Sequence, residues 1–322
     1  MGIAARAGEA LAWLGRQGPP AVAASIFVGL AVPALAALFK PLVGPTIFCL
    51  LVLAFLRVEP TALRDEFARP RLVLLATLWM MVATPLILGL AYAAFGRGEI
   101  WRELSLALIM QAAAPPITSA PAFVALVGLD VALALAVLIT THAVTPLSAA
   151  YFAALFAPDA LPIDATALAI RLALFLGGAY LVARLIRQVA GSARVPGWRA
   201  QIDGVNVILL FVFAAALMES VSAKMFTEPA LVFALIALSF VITFGLMTAT
   251  TLLFWPAGAE RALSLGMASG TRNMGLMLAA ASGVSDVVWL YFAVAQFPIY
   301  LAPQILSPLV SRILRSRLPP PR

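Results

Sequence analysis

"GMASGTRNMG", residues 266–275, decides how this chain is read. Long apolar runs flank it, yet it holds an arginine, an asparagine, two hydroxyl residues and three glycines. An arginine at the centre of a membrane helix costs roughly 2.5–3.5 kcal/mol on insertion scales, so it is kept where it is paired or faces water. Glycine loosens a helix. The stretch therefore predicts an interrupted helix with polar groups gathered at the interruption.

The surroundings of this stretch are those of a membrane. Of the 322 residues 63% are hydrophobic and only 11% are charged, against about 25% in a soluble domain. The mean hydropathy is +1.04. Ten apolar segments follow one another, roughly 20–39, 42–56, 72–95, 104–128, 131–157, 165–186, 204–222, 229–254, 259–282 and 284–309. A helix needs about 20 residues to cross a bilayer. With both termini cytoplasmic, the inner stretches hold fifteen Lys and Arg residues, and the outer loops hold only Lys40, Arg97, Arg102 and Lys224. That asymmetry fits ten spans under the positive-inside rule. It also accounts for the net charge of +7 without a nucleic-acid partner.

At the N-terminus, Ile3, Ala7, Leu11 and Leu14 fall on one face of a short helix over 3–14, expected at the membrane interface. Lone Cys49 reads as a small core residue. Residues 312–322 read as a basic disordered tail.

A second interruption is written into segment 104–128, "LSLALIMQAAAPPITSAPAFVALVGL". Pro115, Pro116 and Pro121 each remove a helical hydrogen bond and crowd the preceding turn. Irregular backbone survives at membrane depth only where protein or a wet cavity satisfies it. Thr118 and Ser119 are small donors at that point, as Ser269, Thr271 and Asn273 are at the other, where Gly270 is read as a helix breaker.

The two interruptions also occupy corresponding places in a weak repeat. "VGLDV" before segment five resembles "SGVSDV" before segment ten, with Asp130 matching Asp286, and Pro70 matches Pro229. Five spans per half give halves of opposite orientation, a signature of secondary transporters. The expected fold is an all-α polytopic membrane protein, ten transmembrane helices in two inverted five-helix repeats, with helices four and nine broken and crossing. Residues 1–157 form the first repeat and 158–311 the second. Paired broken helices point to a binding site at their junction.

"APPITSAPAFVALVGLDVALALAVLITTHAVTPLSA", with "GMASGTRNMGLMLAAA", resembles the bile acid:sodium symporter family and its bacterial homologues. The resemblance covers nearly the whole chain in topology and is specific only in those regions. It implies a carrier of bile acids or other organic anions in a bacterial inner membrane. It also implies a core domain that moves against a panel of helices one, two, six and seven. The family holds sodium with a Glu-x-Gly-x-Gln-Asn run in helix nine. Here the glutamate position is Ala268 and the glutamine position Arg272. The Ser-Asn pair of helix four falls at Ala120 and Pro121, and the helix-five hydroxyls near Ala134 and Leu138. The usual sodium ligands are thus replaced, with Thr140 and Thr141 as displaced hydroxyls if the register shifts.

Three roles stand open for Arg272: a built-in cation that donates to helix-end carbonyls, a fork for a substrate carboxylate or sulfonate, or a structural ion pair. His142, the only histidine, reads as a packing residue or a proton-coupling group. Asn206, Glu219 and Gln296 are weaker candidates, and Asp130 and Asp286 read as helix caps.

The function expected is therefore a secondary carrier of a small organic anion, with the lipid bilayer as its other partner. No protein partner, cofactor or metal cluster is implied beyond the open case of sodium. The alternatives are a sodium symporter with displaced ligands and a non-transporting receptor using the same pocket. Nothing in the sequence marks an enzyme: there is no His/Cys cluster, no phosphate-cradling loop and no nucleophile beside a base.

Overall fold

The structure is a computed structural model. It describes residues 3–17, 24, 27–57, 63–68, 70–95, 99–158, 165–191, 194–281 and 283–315. Among these the regular elements are helices, and no strand forms. Seven helices are long and apolar enough to cross a membrane: Pro33–Arg57, Arg71–Ala94, Val131–Phe156, Ala165–Ala190, Val195–Met218, Pro229–Leu253 and Asp286–Leu314. The protein is an all-α, multi-pass membrane protein. By contacts the chain divides into two compact units, residues 1–58 with 173–234, and 59–172 with 235–322.

In the first unit, α1 (Ile3–Arg16) packs on residues 199–227. The docked face is set by small residues. A Cβ on Gly204 would lie 2.1 Å from the Leu11 carbonyl oxygen, and one on Gly15 2.9 Å from that of Ala200. Of the expected apolar face Ala7 is exposed and Leu11 and Leu14 are half-buried, and Trp13 is exposed.

The first two apolar segments also divide differently from expectation. Val32 is non-helical at φ −127°, ψ 77°, and Pro33 opens α2 (Pro33–Phe39). A residue before proline avoids the helical region, whereas proline itself fits a first turn. The chain then runs through a 3₁₀ turn at Lys40–Leu42 into α3 (Val43–Arg57) as one span. Lys40 therefore lies inside a helical run and not in a loop. Residues 18–23 and 25–26 of the expected first segment lie outside the described residues. Cys49 is exposed on α3, contrary to the core reading. The Arg187 guanidinium donates to the Leu56 carbonyl at 2.6 Å, where the dipole end of α3 favours a cation, and Arg57 pairs with Asp203 at 2.5 Å.

The second unit begins with α4 (Arg64–Ala68) and α5 (Arg71–Leu78). A π-helical turn, Trp79–Ala83, leads into α6 (Thr84–Phe95). The first interrupted segment is α7 (Glu99–Ala113) and α8 (Ala120–Leu126). After it, Gly128 at φ 76° ends α8, with the Leu129 N–H donating to Val124 and that of Gly128 to Ala125. That left-handed glycine closes the helix end. Asp130 then caps α9 (Val131–Phe156) by accepting from Leu133 N at 3.0 Å, as expected. Next come α10 (Ala165–Ala190), α11 (Arg199–Thr227) and α12 (Pro229–Leu253), the outer two shared between the units.

The second interrupted segment is α13 (Ala259–Gly270) and α14 (Met274–Ala280). Gly283 at φ 74° precedes α15 (Asp286–Arg315). Asp286 is its first helical residue; the carbonyl accepting from Val288 and Trp289 belongs to Ser285. Residues 312–315, expected in the tail, continue this helix, and 316–322 lie outside the described residues.

Candidate functional site at the crossing of two broken helices

Both interruptions form, and they meet within the second unit. Pro116 and Arg272 make an isolated antiparallel bridge. The Ile117 N–H donates to the Thr271 carbonyl at 2.8 Å, and that of Asn273 to the Pro115 carbonyl at 2.7 Å. Each break thus satisfies peptide groups that the other has freed, which is what buried backbone requires.

Among the carbonyls freed here are those of Ala114, Ser269 and Met80. The helix α7 ends at Ala113, ahead of Pro115 and Pro116, and the Ile117 N–H turns to the Thr271 carbonyl, which leaves the Ala114 oxygen facing the gap. The Ser269 oxygen loses its helical donor because the Asn273 N–H has turned to Pro115. In the π turn the Thr84 N–H donates to Trp79. The π-type donor for Met80 would be residue 85, a proline without an N–H, so the Met80 oxygen is free.

Arg272 takes all three. Its Nε donates to the Ser269 oxygen at 2.6 Å, and its Nη1 donates to the Ala114 oxygen at 2.8 Å and to that of Met80 at 3.1 Å. Its Nη2 reaches the Ser269 hydroxyl at 3.4 Å. The side chain is 1% exposed. Two of these carbonyls lie at C-terminal helix ends, where the helix dipole is negative and a cation is stabilised. At the other end of α14, Arg171 Nη1 donates to its last residue, Ala280, at 3.4 Å.

Of the three roles open for Arg272, the contacts observed are those of the first. Its Nε and Nη1 donate to carbonyl oxygens, and its partners among the described residues include no acid.

The other sequence candidates divide into two groups. Ser269, Thr271 and Asn273 are part of the crossing. The Thr271 hydroxyl, fully buried, donates to Met267 at 2.9 Å. Asn273 caps α14, its side-chain oxygen accepting from Leu276 N at 3.1 Å. Thr118 and Asn273 are half-buried, whereas Ser119, in the N-cap position of α8, is buried and makes no side-chain cap.

Thr140, Thr141 and His142 lie on α9, and their hydrogen bonds go elsewhere. The Thr140 hydroxyl meets that of Thr77 at 2.7 Å. The Thr141 hydroxyl donates to Val137 at 2.6 Å, and His142 Nδ1 lies 2.8 Å from the Leu138 oxygen. Gln296 donates to Phe292 on its own helix at 3.0 Å. Asn206 belongs to the first unit, and the side chain of Glu219 lies outside the described residues.

Two helix-breaking assignments change. Pro121 lies in the first turn of α8 and starts that helix instead of breaking it. Gly270 is the last residue of α13 and has no positive φ; the break begins at Thr271. What Gly270 supplies is space. A Cβ there would lie 2.6 Å from the Thr243 carbonyl oxygen, and one on Gly266 2.7 Å from that of Met247. Small residues one turn apart let two membrane helices approach closely.

Sequence reasoning missed three features. The π turn with Pro85 is one. The second is a buried pair, Tyr291 donating to Gln111 Oε1, with Gln111 Nε2 buried and without a protein partner. The third is an ion cluster in which Arg261 reaches Glu66 at 2.8 Å and Asp130 at 3.4 Å, beside an Asp130 N–H donated to the Ser264 hydroxyl at 2.9 Å. Arg261 and the acids are visible in the sequence, but their approach across separate helices is not.

Sodium, as the resembled family would hold it, does not fit here. The Met80, Ala114 and Ser269 carbonyls accept from Arg272, and those of Pro115 and Thr271 accept from backbone N–H groups. Ala120, Pro121, Ala134 and Leu138 carry no side-chain oxygen, and the Thr140 and Thr141 hydroxyls bond to their own helix. No family model matches the chain, and no curated protein matches it.

Proposed function

We propose that the protein is a secondary carrier of an organic anion, of the bile acid:sodium symporter type, working by alternating access around the two crossed segments. On this reading it lies in a bacterial inner membrane with both termini cytoplasmic. The observation that carries it is the pairing of two broken helices through the Pro116–Arg272 bridge, the arrangement by which transporters build a site near the bilayer midplane.

Among the described residues, the seven long helices and the two interrupted segments are compatible with nine of the ten passes expected. Gly128 and Gly283, both left-handed after a broken helix and before a long one, support the inverted repeat. The separation of residues 1–58 and 173–234 from the unit that holds both breaks supports a panel and a core. The anionic class of the substrate rests on the resemblance. With Arg272 committed to carbonyls, its recognition falls to other groups, and coupling does not run through that family's sodium ligands.

Alternating access is tested with single cysteines at Thr118 and Asn273, both half-buried, in a Cys49→Ser background. A membrane-impermeant thiol reagent is applied to right-side-out and to inside-out vesicles. A carrier labels from both sides. Labelling from one side only, in every condition, contradicts the carrier reading and fits a receptor.

A further inference from the structure

We infer that the three carbonyls at the crossing form a cation site whose resident ion is the Arg272 guanidinium, so that vacating it creates a site for a free cation of the same shape. The inference deepens the carrier reading, because it says what holds the transport element together. Its test nevertheless reads stability alone and stands or falls apart from transport.

The site has the composition of a cation cage. The Met80, Ala114 and Ser269 oxygens converge from three separate stretches of chain, with the Ser269 hydroxyl as a fourth oxygen, and all lie within hydrogen-bond reach of one planar group. None of the three carbonyls has a helical donor, for the separate reasons of Pro85, the end of α7 ahead of the Pro115–Pro116 pair, and the turned Asn273 N–H. Without a cation they are buried acceptors left unsatisfied, at two negative helix ends.

A mobile ion in such a cage could leave, and the crossing would loosen with it. A covalently tethered guanidinium cannot leave. It is planar, always charged, and its five N–H groups match several oxygens at once. The cage is therefore permanently loaded, and the crossing requires no ion from solution.

The experiment compares the thermal midpoints of purified wild type, Arg272→Gly, Arg272→Met and Arg272→Lys. Guanidinium at roughly 10 mM is the probe, urea its neutral analogue of the same shape, and sodium at equal ionic strength the competing ion. Breaking one side of a buried charged network lowers the midpoint by roughly 10 °C. The expectation is that Arg272→Gly loses that much and regains part of it with guanidinium, rising with the logarithm of concentration, while urea does nothing. Wild type responds to neither guanidinium nor sodium.

Arg272→Lys, which keeps the charge without the fork, falls between wild type and Arg272→Met. Equal loss in the Lys and Met variants would overturn the inference, since charge would then be irrelevant. So would an Arg272→Gly variant as stable as wild type, one that guanidinium does not rescue, or one rescued equally by urea. A saturable sodium response in wild type would show a second cation site and also overturn it.

Discussion

At the scale of the residue, the chain keeps its most expensive groups by giving each a defined partner. Arg272 is the clearest case, and the buried pair Tyr291 and Gln111 obeys the same rule. Removing one member of a buried hydrogen bond leaves the other desolvated and unmatched, at about 1–3 kcal/mol. Tyr291→Phe should therefore lower the thermal midpoint by several degrees. Tyr180→Phe, at a side chain 52% exposed, should leave it unchanged. Equal midpoints for the two variants would mean that the Tyr291 hydroxyl carries no weight. Arg272 itself stood out in the sequence, since a charge in an apolar run calls for a reason. Its partners did not, because main-chain carbonyls have no letter in a sequence.

At the scale of the element, breaks were legible where proline forces them and obscure where geometry forces them. Pro115 and Pro116 end α7 by local chemistry alone, and the polar run after Gly270 marks the end of α13. The π turn at Trp79–Ala83 was not legible. Pro85 removes one donor, but the carbonyl that this frees is satisfied only by a residue far along the chain. The docked face of α1 and the role of Gly270 escaped for a related reason, since glycine writes the same letter for a loose backbone and for a close approach. The two meanings separate by substitution. Gly270→Ala drives a Cβ to 2.6 Å from the Thr243 oxygen, while Gly245 on α12 has nothing within 4 Å of such a Cβ. Overpacking of this kind costs about 1–3 kcal/mol, so Gly270→Ala should fall in thermal stability and Gly245→Ala should not. A neutral Gly270→Ala would show that the backbones do not approach as described.

At the scale of the whole molecule, composition and the spacing of apolar runs fixed the class: an all-α protein with many membrane-crossing helices. What they left open was the joining of segments distant in the chain, for which no local signal exists. One guanidinium joins three of them, around Met80, Ala114 and Ser269. The most direct measurement of that claim is amide hydrogen exchange in Arg272→Lys against wild type, which separates locally stable from locally open segments. If Arg272 holds the crossing, exchange quickens together in peptides spanning 79–84, 112–119 and 268–275, while the middle of α9 keeps its protection. If the change is confined to the peptide that carries the substitution, the three segments are not held by this side chain and the account is contradicted.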